Sequence, residues 1–120
     1  MRVALVAGSN RLYMPYVSHY EAVLTDYGAD YDLINWDRLH IEDDRELTYR
    51  DHKHSIRRNF FDYVNFSRFA VSKLLKYEYG KVIIFGIESS FFLRQIITDC
   101  YSNRCVLDIR DDHRIRRFSN

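Results

Sequence analysis

Short apolar runs with no polar alternation recur along this chain, and stretches with helical periodicity separate them. Runs of this kind are typical of parallel strands that helices cover on both faces of a sheet. We predict strands over residues 3–7, 31–36, 82–85 and 105–109, with a short additional strand over residues 47–49. Helical spacing of apolar residues predicts helices over residues 15–27, 60–79 and 88–101, and a further helix that begins near residue 111.

This alternation of strands and helices predicts an α/β, Rossmann-like three-layer domain with a mainly parallel sheet. The 120 residues match the length of a single domain that spans residues 1–120. We expect the sheet order 3-2-1-4-5, or a shortened version of it, as in dinucleotide-binding folds. Residues 3–7 should then form the central strand, with residues 31–36 and 82–85 on either side.

The composition excludes several classes of protein. A hydrophobic fraction of 47% with 16% aromatic residues is that of a packed domain and not of a disordered chain. The net charge of +1 gives no global attraction for nucleic acid, so we expect no nucleic-acid partner. The two cysteines form neither a disulfide framework nor a spacing for zinc. No signal peptide is evident, and no apolar run is long enough to span a membrane, so we expect a cytoplasmic protein.

Polar residues follow the first two predicted strands at the edge where α/β sheets bind ligands. Gly8, Ser9 and Asn10 form the turn after the first strand, where free backbone N–H groups could contact a ligand. The alternative is an ordinary turn that needs a glycine. Asp37 and Arg38 follow the second strand, where Asp37 could bind a ribose, cap a turn or pair with Arg38. The chain has neither the GxGxxG nor the P-loop pattern of nucleotide sites.

Two further groups of candidates follow the later strands. Glu88 and Ser89 lie where a strand passes into a helix, so they could contact a ligand or cap that helix. Arg110 and Asp111 belong to a charged cluster directly after the last strand. Asp108 in that strand needs a partner, so an internal ion pair with Arg110 and a helix cap are the alternatives to a ligand site.

Basic and aromatic residues are concentrated before and along the helix predicted for residues 60–79. The cations that we consider as a membrane or partner surface are Arg57, Arg58, Arg68 and Lys73. Most aromatic residues of this helix should be core, but they cover more than one narrow stripe, so some could face lipid or a partner domain. The histidines show no spacing for a third ligand, so we predict no metal site.

Four segments together resemble the N-terminal domain of GT-B glycosyltransferases, with the family 4-like retaining enzymes of bacterial surface-polysaccharide synthesis as the nearest likeness. The segments are MRVALVAGSN (residues 1–10), YDLINWDR (31–38), KVIIFG (81–86) and RCVLDIRDD (104–112). The DIRD sequence at residues 108–111 is the most family-like of them, whereas the others are common in α/β folds. The resemblance covers the order of elements over the whole chain.

The resemblance implies a domain that binds the acceptor, a glycan or a lipid-linked sugar, with peripheral contact to the inner face of the membrane. The nucleotide-sugar donor would be held only with a second domain or subunit, so this chain alone would be inactive and would hold no cofactor. The cleft-facing residues would be those after the strands, namely Gly8, Ser9, Asn10, Asp37, Arg38, Glu88, Ser89, Arg110 and Asp111. The alternatives are one subunit of a split glycosyltransferase and a small flavodoxin-like binding or regulatory domain.

Overall fold

The computed structural model describes residues 2–55, 57–85 and 105–108, the last range as backbone only. The strands are β1 (Arg2–Ala7), β2 (Asp30–Trp36), β3 (Thr48–Tyr49), β4 (Lys81–Phe85) and β5 (Cys105–Asp108). The helices are α1 (Pro15–Asp26), which follows a 3-10 turn over Arg11–Tyr13, and α2 (Phe60–Tyr77). The helices predicted over residues 88–101 and from residue 111 lie outside the described residues.

The five strands form one parallel sheet in the order β3-β2-β1-β4-β5. This order confirms the prediction, with β1 in the centre between β2 and β4. Leu5 of β1 lies beside Leu33 of β2 on one side and beside Ile83 of β4 on the other. Because all strands are parallel, their carboxyl ends meet at a single edge, which we call the carboxyl edge.

The core has two halves, one on each face of the sheet, as the alternation of side chains along a strand requires. Ala4 and Val6 of β1 belong to the half that α2 covers with Phe66 and other apolar residues. The neighbouring β1 residues Val3, Leu5 and Ala7 belong to the other half, which Val17 of α1 covers. The domain therefore has three layers, as predicted from the apolar runs.

Helix α2 begins with a capping box. Asn59 accepts a hydrogen bond from the Asp62 amide at 3.0 Å, and the Asp62 carboxylate accepts one from the Asn59 amide at 2.9 Å. The helix ends at Tyr77 and not at residue 79, because Glu78 takes a left-handed conformation with φ of 47°. This turn redirects the chain so that Tyr79 is fully buried in the core, where the sequence pattern had placed it in the helix.

Neither described helix combines the length and the apolar character that crossing a bilayer requires.

Candidate functional site

The turns after β1 and β2 are joined directly at the carboxyl edge. The side-chain amide of Asn10 donates to Asp37 Oδ1 at 2.7 Å, and Arg38 Nε donates to the Gly8 carbonyl at 2.8 Å. Gly8, Asn10, Asp37 and Arg38 are all buried, whereas Ser9 is partly exposed. The structure thus brings together the five candidates that the sequence placed after the first two strands.

Asp37 is the centre of this arrangement. Its Oδ1 accepts hydrogen bonds from Asn10 and from the Ile41 amide, and its Oδ2 accepts from the Glu42 amide and from Nε and Nη2 of Arg50. Burial alone would raise the pKa of Asp37, but these hydrogen bonds together lower it to about 2. Asp37 is therefore a charged group whose capacity as an acceptor is taken up by the protein itself.

Glu42 is a second carboxylate, and two asparagine side chains hold it. Asn35 donates to its Oε1 and Asn10 donates to its Oε2, both at 2.8 Å. Asn35 is itself fixed because its Oδ1 accepts from the Thr48 hydroxyl at 2.8 Å. We call Asn10, Asn35, Asp37, Glu42 and Arg50 the carboxyl-edge network. It connects the ends of β1 and β2 to the loop between β2 and β3.

Arg38 lies against aromatic rings instead of pairing with its neighbour Asp37. Its guanidinium is 4.4 Å from the centre of the Trp36 ring and 5.1 Å from that of Tyr63. Its Nη2 also donates to the Tyr63 hydroxyl at 3.2 Å. These contacts hold a positive charge between the end of β1 and the first turns of α2, where the cation gains from the ring faces.

The four cations that the sequence suggested as a surface occupy different environments. Arg57 and Arg68 are exposed. Lys73 contacts the Glu46 carboxylate at 3.2 Å. The Arg58 side chain is fully buried, and its Nε and Nη2 both donate to Asp51 at 2.8 Å. Arg58 therefore organises the loop before α2 and is not available to a membrane or a partner, because its charge is already desolvated and paired.

Large apolar side chains are exposed around the same edge of the sheet. We call the following residues the apolar rim: Leu12 and Tyr13 after β1, Ile41 after β2, and Phe60 and Phe61 at the start of α2. Phe61 is 73% exposed and Leu12 is 67% exposed, which is far more than packing in the core would allow. The rim places apolar contact surface beside a polar, buried network, as ligand sites commonly do.

A depression of about 320 Å³ opens next to the network and is lined by Ile41, Glu42, Asp43 and Arg45. It combines an apolar side chain, the fixed carboxylate of Glu42, a second carboxylate from Asp43 and a guanidinium. Within residues 2–55 and 57–85, no three His, Cys, Asp or Glu side chains come together as a metal site would need.

Sequence reasoning missed Asn35, Glu42 and Arg50 as members of the site. Asn35 could have been recognised, because it is a polar residue in a predicted strand, and a buried polar side chain nearly always has a hydrogen-bond partner. Glu42 and Arg50 belong to an irregular polar segment whose residues show no periodicity. The candidates Glu88, Ser89, Arg110 and Asp111 lie outside the described residues.

Comparison of the chain with protein-family models, with curated proteins and with solved structures gave no match.

Proposed function

We propose that this chain is the acceptor-side domain of a GT-B type glycosyltransferase and binds a sugar-bearing acceptor at its carboxyl edge. The observation that carries the proposal is the juxtaposition of the carboxyl-edge network with the apolar rim. A lipid-linked sugar needs hydrogen-bonding groups for its hydroxyls and apolar surface for its other parts. Both are present at the edge where α/β sheets bind ligands.

The segments that resemble the glycosyltransferase family also support the proposal. The segment of residues 1–10 contains β1 and its turn, and residues 31–38 contain most of β2 and the two candidates that follow it. Residues 81–86 and 104–112 contain β4 and β5. All four segments therefore supply strands of one parallel sheet.

The charges of this edge favour an acceptor over a nucleotide-sugar donor. Asp37 and Glu42 place two carboxylates between the ends of β1 and β2, and Asp43 and Asp44 follow on the surface. The partly exposed Glu42 and the exposed Asp43 and Asp44 repel a diphosphate but can accept hydrogen bonds from sugar hydroxyls. In this proposal the donor is bound with a second domain or subunit, and a separate donor-binding subunit is the split-enzyme form of the same function.

A flavodoxin-like domain is the alternative from a different class. Flavodoxin-like sheets have the order 2-1-3-4-5, whereas this sheet has the order 3-2-1-4-5 of the dinucleotide-binding folds. The difference depends on the two-residue strand β3, because the order of the four longer strands, β2-β1-β4-β5, is common to both folds.

Ligand binding by the whole chain tests the proposal. We expect saturation-transfer NMR to detect binding of octyl β-D-glucoside, a sugar with an apolar tail, below its critical micelle concentration. Calorimetry with UDP-, GDP- and ADP-sugars should give affinities no better than millimolar, or about −4 kcal/mol. Micromolar binding of any of these nucleotide-sugars would place the donor site here and contradict the acceptor assignment.

We further propose that the start of α2 contacts an anionic membrane surface. Phe60 and Phe61 are exposed there, and Arg57 and Arg68 are exposed cations near them in the chain. Aromatic side chains with flanking cations suit the membrane interface. Sedimentation with phosphatidylglycerol vesicles should carry the chain down at low salt and less at high salt. Equal sedimentation of wild type and Phe61→Ala would contradict this contact.

A further inference from the structure

The depression beside the carboxyl-edge network contains one carboxylate that the fold holds in a fixed orientation. Glu42 lies in its lining together with Ile41, Asp43 and Arg45. Its side chain is partly exposed, so a ligand in the depression can reach it. The other acid of the network, Asp37, is fully buried and accepts five hydrogen bonds from the protein. Asp37 is thus a positioning residue, and Glu42 is the acid at the surface.

The main chain of Glu42 is fixed as firmly as its side chain. Its amide donates to Asp37 Oδ2 at 3.1 Å, and its carbonyl accepts from Arg50 Nη2 at 2.6 Å. Asn10, in the turn after β1, and Asn35, in β2, each hold one of the two carboxylate oxygens. A ligand that binds this carboxylate therefore loses little free energy in ordering it, since the orientation already exists in the unbound chain.

The other residues that line the depression provide a hydrogen-bond donor and an apolar contact, both of which a sugar ring can use. Arg45 supplies a guanidinium for ring or hydroxyl oxygens, and its Nη2 lies 3.5 Å from Asn35 Oδ1. Ile41 is 60% exposed and offers an apolar side chain for the C–H face of a pyranose. The lining has two carboxylates, Glu42 and Asp43, and one cation, Arg45, so it disfavours an anionic ligand such as a diphosphate and can accept hydrogen bonds from a neutral polyol.

We propose that Glu42 receives hydroxyl hydrogen bonds from a neutral pyranose in this depression, while Arg45 donates to the sugar and Ile41 packs against its ring. The proposal rests on the acceptor-binding function and identifies the part of the edge that selects the sugar. A carboxylate that accepts from two neighbouring hydroxyls discriminates against a ligand without them, because such a ligand would displace water from the carboxylate without replacing the lost hydrogen bonds.

The test uses octyl β-D-glucoside and, as a matched ligand without a sugar, tetraethylene glycol monooctyl ether. Saturation-transfer NMR with the whole chain measures both ligands against wild type, Glu42→Gln, Ile41→Ser and Asp26→Asn. Asp26→Asn removes an exposed charge at the end of α1, outside the lining of the depression, and is the control for net charge. Thermal melting of each variant identifies any loss of fold, and Ile41→Ser leaves every side chain of the network in place.

We expect Glu42→Gln to raise the dissociation constant of octyl β-D-glucoside about tenfold or more and Ile41→Ser about threefold, with Asp26→Asn unchanged. Binding of the octyl ether should be the same in wild type and Glu42→Gln. Glucoside binding that survives both Glu42→Gln and Ile41→Ser would overturn the sugar site at Glu42 and leave acceptor binding elsewhere on the edge intact. An equal loss for the octyl ether in Glu42→Gln would also overturn it. No glucoside binding by wild type would overturn the acceptor-binding function itself and this site with it.

Discussion

At the scale of single residues, the hydrogen bonds and ion pairs of charged side chains join residues that are not adjacent in sequence. Asp37 was expected to cap a turn or to pair with Arg38, its neighbour. It does cap the turn, through the Ile41 and Glu42 amides, but its ion pair is with Arg50 at 2.7 Å. Adjacent side chains at the end of a strand point in opposite directions, so Arg38 could not share the same environment.

We predict that Asp37→Asn lowers the free energy of unfolding by about 2 kcal/mol at pH 7, because the folded pKa of Asp37 is about 2 against an ordinary value of 3.8. A folded pKa below the unfolded one stabilises the fold above the unfolded pKa. This stabilisation disappears as the pH falls from about 4 towards about 2. Denaturant unfolding of wild type and variant at pH 7 and pH 2 measures the difference, which should be small at pH 2.

Asp43→Asn is the matched control for Asp37→Asn, because it removes the same charge from an exposed position instead of a buried one. Its free energy of unfolding should equal that of wild type at both pH values. An Asp37→Asn variant that is as stable as Asp43→Asn at pH 7 would show that the network does not stabilise the loop.

Arg57 and Arg58 offer a second comparison between neighbours. Arg58 donates to both oxygens of Asp51 and to the carbonyls of Arg38, Lys53, Ser55 and Arg57, whereas the Arg57 side chain is exposed. Lysine cannot reproduce this set of donors. We predict that Arg58→Lys lowers the free energy of unfolding by about 1–3 kcal/mol and that Arg57→Lys leaves it unchanged. Equal denaturation midpoints for the two variants would contradict the buried role of Arg58.

At the scale of elements, apolar patterning predicted the strands and helices well. Buried strands such as β1 and β4 are continuous apolar runs, because the sheet is covered on both faces. The two-residue strand β3 was also anticipated within residues 47–49. The end of α2 was not, because Gly80 is the first residue that indicates a stop in the sequence, whereas the left-handed Glu78 ends the helix at Tyr77.

The start of α2 gives a prediction about local structure. Asn59 accepts from the Asp62 amide in the capping box, whereas Asn65 lies on the exposed surface of the same helix. We predict that Asn59→Ala lowers the free energy of unfolding by about 1 kcal/mol, as loss of a side-chain cap commonly does. Asn65→Ala should be neutral or slightly stabilising, because alanine is the better helix former. Thermal unfolding followed by circular dichroism compares the two.

The loop between β2 and α2 shows where pattern reasoning fails. Residues 37–59 carry no helical periodicity, so apart from the short strand over residues 47–49 the sequence indicated an irregular polar segment. In the structure this segment contributes Glu42 and Arg50 to the network and pairs Arg58 with Asp51. Ion pairs and side-chain hydrogen bonds join specific atoms across variable separations, so they leave no repeating signal in a single sequence.

At the scale of the whole molecule, the two edges of the sheet differ in character. The amino edge is closed by Tyr79, which donates to Asp32 at 2.7 Å, and Arg2 contacts the same carboxylate at 3.2 Å. Burial and the neighbouring Asp32 raise the pKa of the Tyr79 hydroxyl. The carboxyl edge has the network, the depression and the apolar rim. The strand order was predictable from the crossover rules. The difference between the two edges was not, because it depends on contacts that only the structure reveals.

Mapping of octyl β-D-glucoside by amide chemical shifts of the ¹⁵N-labelled chain tests the central claim most directly. We predict that the chemical-shift changes on titration concentrate in residues 8–13, 37–45 and 59–61. These ranges contain the turns after β1 and β2 and the apolar rim. Amides of the amino edge, such as those of Asp32, Tyr79 and Lys81, should stay unchanged. Shifts concentrated at the amino edge, or none at any concentration below the critical micelle concentration, would contradict acceptor binding at the carboxyl edge.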